Sequence, residues 1–448
     1  MSIALPIRHS DGLPRPLMTR RGWWLVVLNF VLPGSAQVLA GNRRLGRVGL
    51  GMTLGLWGAA LIVGIGYLIW PVAVLTAATN TIGLVAAQII LAAYAVLWVV
   101  LTVDTLRLVK LVRTAPSARA WIAALGVLLM VGTAGTAAYG VTVIGSTLGF
   151  LGSVFQNQAV VPPIDGRYNI MLLGSDAGPD RDGARPDSIS VVSIDAETGR
   201  ATIIGLPRNL EDVPFPTDSP MYETYPDGYY DCDVDVCMLN SIYTEVQLKS
   251  PERYPNAESH GSTPGIEATR DAVEGALGIQ VQYFVSIDMQ GFSDLIDALG
   301  GVEITVDERL PIGGDEDFNN VDGWVEAGTQ HMNGFTALWY ARARHGTSDY
   351  DRMARQRVLQ EAVLKQFNPA NVVTKFQAVA KAGEDVVKTD IPQSMLGVFA
   401  DLAMKTRALP IDRLELVPPA VDPEDPDFDV IHQLVAKALA PVTPTPKP

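Results

Sequence analysis

The chain has 448 residues, two cysteines and 18% charged residues, with a formal charge of −14 and a mean hydropathy of +0.20. Two cysteines exclude a disulfide-built scaffold, the apolar content excludes a disordered chain, and the acidity argues against a general nucleic-acid binder. The charge is unevenly divided: residues 1–149 carry a net +9, with Asp11 and Asp104 as their acids, whereas residues 150–448 carry −23. A basic, apolar third followed by an acidic remainder predicts a membrane-anchored protein with its soluble part on one side.

Uncharged apolar stretches run from Trp23 to Gly41, Val48 to Val72, Ile82 to Val103 and Ala120 to Ile144. About 20 residues cross a bilayer as a helix, so the last three are predicted to span. The first is preceded by Arg8, Arg15, Arg20 and Arg21 and followed by Arg43, Arg44 and Arg47, and it contains Pro33-Gly34-Ser35. Basic flanks stay cytoplasmic, so this stretch reads as a re-entrant or interfacial hairpin, with four full spans as the alternative. Arg107, Lys110, Arg113 and Arg119 before the last span then place the acidic part outside the cytoplasm. None of the three spans has an ionisable residue at mid-depth, which favours anchoring over transport. Gly49, Gly51, Gly55 and Gly58 predict close helix packing. The chain divides into a membrane region (1–149), a linker (150–164), an extracytoplasmic domain (165–417) and a proline-rich tail (418–448) expected to be extended.

In the outer part, Tyr168–Gly174, Ser188–Ile194, Thr202–Leu206, Val281–Ile287 and Val302–Val306 read as strands, with Leu414–Val417 as a last one. Glu267–Leu277, Phe292–Leu299, Gly334–Tyr340, Asp351–Phe367, Val372–Ala382 and Gln393–Met404 read as helices. The alternation predicts an α/β domain of three layers, α/β/α. Cys232 and Cys237 lie in a short acidic loop, where an oxidising compartment favours a disulfide over a metal site.

Two features carry chemistry. Asp176 ends a strand in Leu173-Gly174-Ser175-Asp176, and Asp187 follows eleven residues later. Paired carboxylates beyond strand ends suit a hard divalent cation with phosphate, although from spacing alone a solvated acidic loop is the simpler account. The second is arginine: Arg342, Arg344, Arg352, Arg355 and Arg357 fall within sixteen residues that contain no lysine. Arg342 and Arg344 share a face if that stretch is extended. Arg352, Arg355 and Gln356 share one on a helix starting at Asp351, capped by Ser348 or Asp349. Guanidinium forks grip phosphate oxygens in pairs; a salt-bridged helix surface is the competing account. Arg208, just after a strand, can join the same site. Cation-binding carboxylates beside arginines describe a pyrophosphate site. His9, His260, His331, His345 and His432 show no ligand spacing.

Taken together and in order, NIMLLGSD (Asn169–Asp176), RPDSISVVSID (Arg185–Asp195), IGLPRN (Ile204–Asn209), DALGGVEITV (Asp297–Val306), MNGFTALWYARAR (Met332–Arg344) and DYDRMARQR (Asp349–Arg357) resemble the LytR-CpsA-Psr cell-wall glycopolymer phosphotransferases. The resemblance covers residues 165–367. It implies an extracytoplasmic α/β/α domain that moves a glycosyl phosphate from a polyprenyl-pyrophosphate carrier to a peptidoglycan hydroxyl. By motif position, Asp176 and Asp187 would coordinate Mg²⁺ or Mn²⁺. Arg185, Arg208, Arg342 and Arg344 would act on the pyrophosphate, with Arg352, Arg355 and Gln356 binding it. The implied partners are the lipid-linked glycan, peptidoglycan and the membrane, with no nucleic acid. A pyrophosphatase acting on the same lipid and a non-catalytic membrane sensor or glycan-binding regulator are the alternatives. The family usually has Pro-Arg-Asp where Pro207-Arg208-Asn209 stands here, Arg-Ser/Thr-Asp where Arg185-Pro186-Asp187 stands, and a single anchor helix.

Overall fold

A computed structural model describes residues 13–155, 158–176, 185–315, 318–344, 346, 348–366 and 387–440, the side chains of Ser153, Asp176 and Arg185 excepted. The expected helix Val372–Ala382 and the last eight residues lie outside the described set. The chain forms two compact units, Met1–Leu148 and Gly149–Pro448.

In the first unit, α1 (Arg15–Val31) stops at Pro33-Gly34 and α2 (Ser35–Ala40) turns back, so the first apolar stretch is a broken helical hairpin. Proline lacks the amide a continuing helix needs, and Gly34 takes a left-handed backbone (φ +94°) with the following long helix so near that a Cβ would meet Leu50 N at 2.4 Å. The helices α3 (Arg43–Ile69), α4 (Pro71–Thr79), α5 (Thr81–Val109) and α6 (Pro116–Val154) follow. Three segments, Arg43–Ile69, Thr81–Arg113 and Pro116–Gly152, are long and apolar enough to cross a membrane. Because α6 continues to Val154, the expected linker begins as helix.

Buried hydrogen bonds seat the hairpin on α5: Asn29 donates to Thr102 Oγ1 (3.1 Å) and Gln37 to the Leu101 carbonyl (2.7 Å). The expected glycine packing holds at Gly49, where a Cβ would strike Leu101, but not at Gly51, Gly55 or Gly58, whose surroundings are open to 4 Å. Those three face away from the neighbouring helices of this chain. Sequence spacing marks a face without saying whether anything covers it.

The second unit is a mixed α/β domain. Its main sheet has the order β10-β3-β2-β1-β4-β9, built from β1 (Arg167–Asp176), β2 (Arg185–Asp195), β3 (Ala201–Leu206), β4 (Tyr283–Asp288), β9 (Val387–Thr389) and β10 (Asp412–Glu415). β1 runs parallel to β4, and β3 to β10, whereas β2 is antiparallel to both β1 and β3. Successive residues of β1 therefore point to opposite faces, and each face has its own core. Met171 and Leu173 join Ile189, Val191 and Ile204 beneath α7 (Leu239–Lys249) and α8 (Pro264–Leu277). Tyr168 and Ile170 join Val192, Ile203 and Tyr283 on the other face, against Met395 and Leu402. Leu402 belongs to α12 (Leu396–Arg407).

Between these elements stand α9 (Met289–Leu299), β5 (Val302–Val306), β6 (Leu310–Gly313), β7 (Val321–Val325), β8 (Gly328–Met332), α10 (Gly334–Arg342) and α11 (Asp349–Gln366). β5 pairs with β8 and β6 with β7, in two small sheets apart from the main one.

The tail is corrected. Phe428–Leu439 is a helix, α13, capped by Asp427, with Ile431 and Val435 inside the larger core. The prolines around it suggested extended chain, but Ile431 and Val435 sit one turn apart and bury together. α7 was also unforeseen, because its buried face is largely polar. Glu245 there is 5% exposed and accepts the hydroxyls of Tyr225 and Tyr229, each at 2.6 Å. Cys232 and Cys237 form a disulfide, with Cα atoms 5.7 Å apart.

Candidate anion-binding site

The strand directions gather the expected residues at one edge. The C-terminal ends of β1 and β3 and the N-terminal end of β2 coincide: Asp176 pairs with Arg185, Ser175 with Pro186, and Ile189 with Leu206. The β1–β2 register shifts between Gly174 and Ser175, and such a bulge re-aims the strand end. Asp176 and Asp187 thus lie at the same end of neighbouring strands, and Arg208 follows β3 by two residues.

The side chains interlock. Arg208 Nη1 donates to Asp187 Oδ1 at 2.6 Å, and its Nε lies 3.6 Å from Asp349 Oδ2. Arg344 Nη2 reaches the other Asp187 oxygen at 3.4 Å. Arg352 Nη2 pairs with Asp349 at 2.9 Å while its side chain is only 2% exposed. Burial pulls the Arg352 guanidinium below its ordinary value, with Asp349 opposing the shift and Arg344 and Arg208 adding to it. Among the described side chains, three arginines therefore share two carboxylates, an arrangement that suits a bound anion.

The helix α11 is started by a reciprocal cap: Ser348 Oγ accepts from the Asp351 amide at 3.1 Å, and Asp351 accepts from the Ser348 amide at 2.8 Å. This frees Asp349 to pair with the arginines. Asp349 was foreseen only as a possible cap. The signal that marks it in the sequence is its position three residues before Arg352, where carboxylate and guanidinium meet on a helix.

The other expected residues are placed differently. Arg342 ends α10 and its guanidinium lies over the Trp339 ring, 5.0 Å from the centroid. Arg342 and Arg344 do not share an extended face, because the first is helical. Arg355 Nε donates to the Tyr340 carbonyl at 3.0 Å and its Nη2 to that of Ala343. Gln356 donates to the Ala341 carbonyl at 3.4 Å. Arg355 and Gln356 thus hold the carbonyl end of α10, where a cation is favoured, and fix the backbone that presents Arg344. Arg357, which was given no role, is wholly buried, with Nε 3.9 Å from Glu415 Oε1. Burial lowers its guanidinium to about 10, partly offset by Glu415. Gly205 makes room for this pair: a Cβ there would lie 2.5 Å from Glu415 Oε2 and 3.1 Å from Arg357 Nε.

Among the described residues no group of three or more His, Cys, Asp and Glu is arranged to hold a metal. The donor set is still compatible with one, since Asp187 and Asp176 are hard oxygen donors on paired strand ends and a Mg²⁺ site needs only one or two carboxylates beside phosphate.

Fold and site together define a mixed α/β domain with an arginine–carboxylate cluster at its strand ends. The chain belongs to the LytR_cpsA_psr family, whose model matches residues 154–417. It is 28% identical over 228 residues to a polyisoprenyl-teichoic acid–peptidoglycan teichoic acid transferase, TagU, of Halalkalibacterium halodurans, covering 50% of this chain and 61% of that protein. It is 26% identical over 230 residues to biofilm regulatory protein A of Streptococcus mutans, covering 50% of each. The match thus spans about three-fifths or less of these relatives' length. A crystal structure of B. subtilis TagV aligns at 21% identity with a TM-score of 0.44, over 61% of this chain and 96% of that one.

Proposed function

We propose that the second unit transfers a glycosyl phosphate from a polyprenyl-pyrophosphate carrier to a peptidoglycan hydroxyl, with the domain held outside the cytoplasm by three membrane-crossing helices. The observation that carries this reading is the convergence of Arg208, Arg344 and Arg352 on Asp187 and Asp349 beside the strand ends. Support for the chemistry comes from relatives whose names specify teichoic acid transfer to peptidoglycan.

In this reading the hydroxyl oxygen forms a bond to the glycan-bearing phosphorus, the bridging P–O bond breaks, and polyprenyl phosphate leaves with the bridging oxygen, while the hydroxyl proton passes to that phosphate or to solvent. Arg344 and Arg208 exchange part of their contact with Asp187 for phosphate oxygens, and their forks neutralise the charge that grows on those oxygens. Arg352, anchored by Asp349 in a largely dry position, contributes a fixed positive charge without having to reorganise. Arg185 and Arg342 complete the binding set, while Arg355 and Gln356 keep the Arg342–Arg344 backbone in place. Asp176 and Asp187 would hold Mg²⁺ or Mn²⁺, which supplies further neutralisation of phosphate oxygens when bound.

The domain is read as three layers, with helices over both cores of the main sheet. Incubating the full chain with lipid-linked glycan and peptidoglycan fragments tests the reaction. A phosphodiester-linked product is expected. Release of free phosphate products would instead indicate a pyrophosphatase, and no turnover a binding protein.

A further inference from the structure

The hairpin of β6 and β7 carries aromatic surface that the cores do not use. Phe318 is 44% exposed and stacks on Trp324, with ring centroids 6.0 Å apart and planes inclined by 30°. The Arg309 guanidinium lies 4.0 Å from the centroid of Trp324. Phe318 and Asn320 both adopt left-handed backbone, φ 60° and 56°, which is unfavourable for residues with side chains. Two hydrogen bonds tie Asp315 to Asn319: the Asp315 amide donates to the Asn319 carbonyl at 3.1 Å, and Asp315 Oδ1 accepts from the Asn319 amide at 2.9 Å.

A lone exposed aromatic residue is ordinary. Phe318 differs because its ring also touches the loop that carries the anion site. A Cβ on Gly346 would lie 2.8 Å from Phe318 Cζ, and Gly346 stands between Arg344 and Asp349. Two residues of chain reach at most ~7 Å, so the Gly346 backbone that the ring meets lies within that distance of the Arg344 backbone.

We propose that Phe318, backed by Trp324 and with exposed Asn320 and Asp322 near it in the chain, forms a pyranose-binding subsite contiguous with the anion site. The C–H face of a pyranose is apolar and slightly positive, so it packs on the negative face of an aromatic ring. Its hydroxyl rim needs donors and acceptors of the kind an amide and a carboxylate provide. The Arg309 guanidinium on Trp324 helps hold the platform in place, which lowers the ordering needed on binding. This rests on the proposed glycosyl-phosphate transfer, and it deepens that reading by placing the sugar nearest the phosphorus. That sugar belongs either to the acceptor glycan or to the donor polymer.

The test is calorimetric and needs no turnover, so it stands even where the transfer reaction fails. The full chain in detergent is titrated with oligosaccharides of N-acetylglucosamine and N-acetylmuramic acid in one arm, and with a soluble glycosyl phosphate in the other. Wild-type protein is expected to bind in at least one arm. Phe318→Ala and Phe318→Leu should both weaken that binding about tenfold, and Phe318→Tyr should retain it. Loss in the first arm identifies the acceptor glycan, and loss in the second the donor. No binding by wild type in either arm overturns the proposal. So does equal binding by wild type, Phe318→Ala and Phe318→Leu, with near-UV circular dichroism showing all three folded.

Discussion

Arg352 and Arg357 stand five positions apart on one helix, and both are buried to 2% exposure or less. Arg352 turns its guanidinium to Asp349 and, through that carboxylate, joins Arg208 and the partly exposed Arg344. Arg357 is enclosed against β3 and β10, where Glu415 is its counter-charge and Gln360, which it also bonds, reaches Ser190. The first region offers charge to a ligand. The second uses charge to fasten a helix to a sheet. A run of arginines in a sequence is therefore not a map of a binding site, because burial on the sheet side gives the same residue type a structural task.

Four experiments separate the two regions. Arg357→Ala strands Glu415, whose carboxyl burial already holds above its ordinary value, and should cost about 3 kcal/mol. The urea midpoint of the second unit reports it, and an unchanged midpoint would remove Arg357 from its structural role. Arg344→Ala should do the reverse, because this side chain is 47% exposed. Transfer of glycosyl phosphate should drop by about 100-fold or more, with stability changed by less than about 0.5 kcal/mol. Wild-type turnover in that variant would break the pyrophosphate assignment.

Replacing Cys232 and Cys237 together by serine opens a short loop remote in sequence from either arginine. A loss of about 2 kcal/mol in stability, with transfer retained by the folded fraction, is the expected result. The smallest effect concerns pH. Glu274 on α8 is pushed up to about 7 by burial, against the opposing hydrogen bond from the Val281 amide. Its folded form holds a proton that the unfolded chain releases near the ordinary carboxyl value of 4.5, so this group makes stability fall as pH rises from about 4.5 to about 7. Glu274→Gln keeps the acceptor for Val281 and should stabilise the protein at pH 8 by on the order of 1–2 kcal/mol, allowing for partial solvent screening. The gain should vanish below about pH 4.5 in thermal melts, and an equal gain at both pH values would rule out the proton as its cause.

Period and composition alone were enough for the central strands and the apolar helices. YNIMLLG is a buried strand because its two faces enter two cores, and a continuous apolar run is the mark of that situation. Pro33-Gly34 likewise announced the break between α1 and α2. Other elements left no such mark: α7 has a largely polar buried face that hides Glu245 behind two tyrosines, and the apolar face of α13 is masked by the prolines around it. The role of Asp349 was obscured for a related reason, since a capping serine and a pairing aspartate stand side by side and only the hydrogen bonds tell which does which.

Local chemistry along the chain settled the membrane-compatible helices, the central strands of the main sheet and the residue types available for an anion, but not the short edge strand β9. Those follow from hydrophobic periodicity and side-chain functional groups, which act over a few neighbouring positions. Which arginines face a ligand and which face the sheet was decided by packing between segments more than a hundred residues apart. Arg344 meets Asp187, and Gln360 meets Ser190, through contacts whose partners no local pattern encodes.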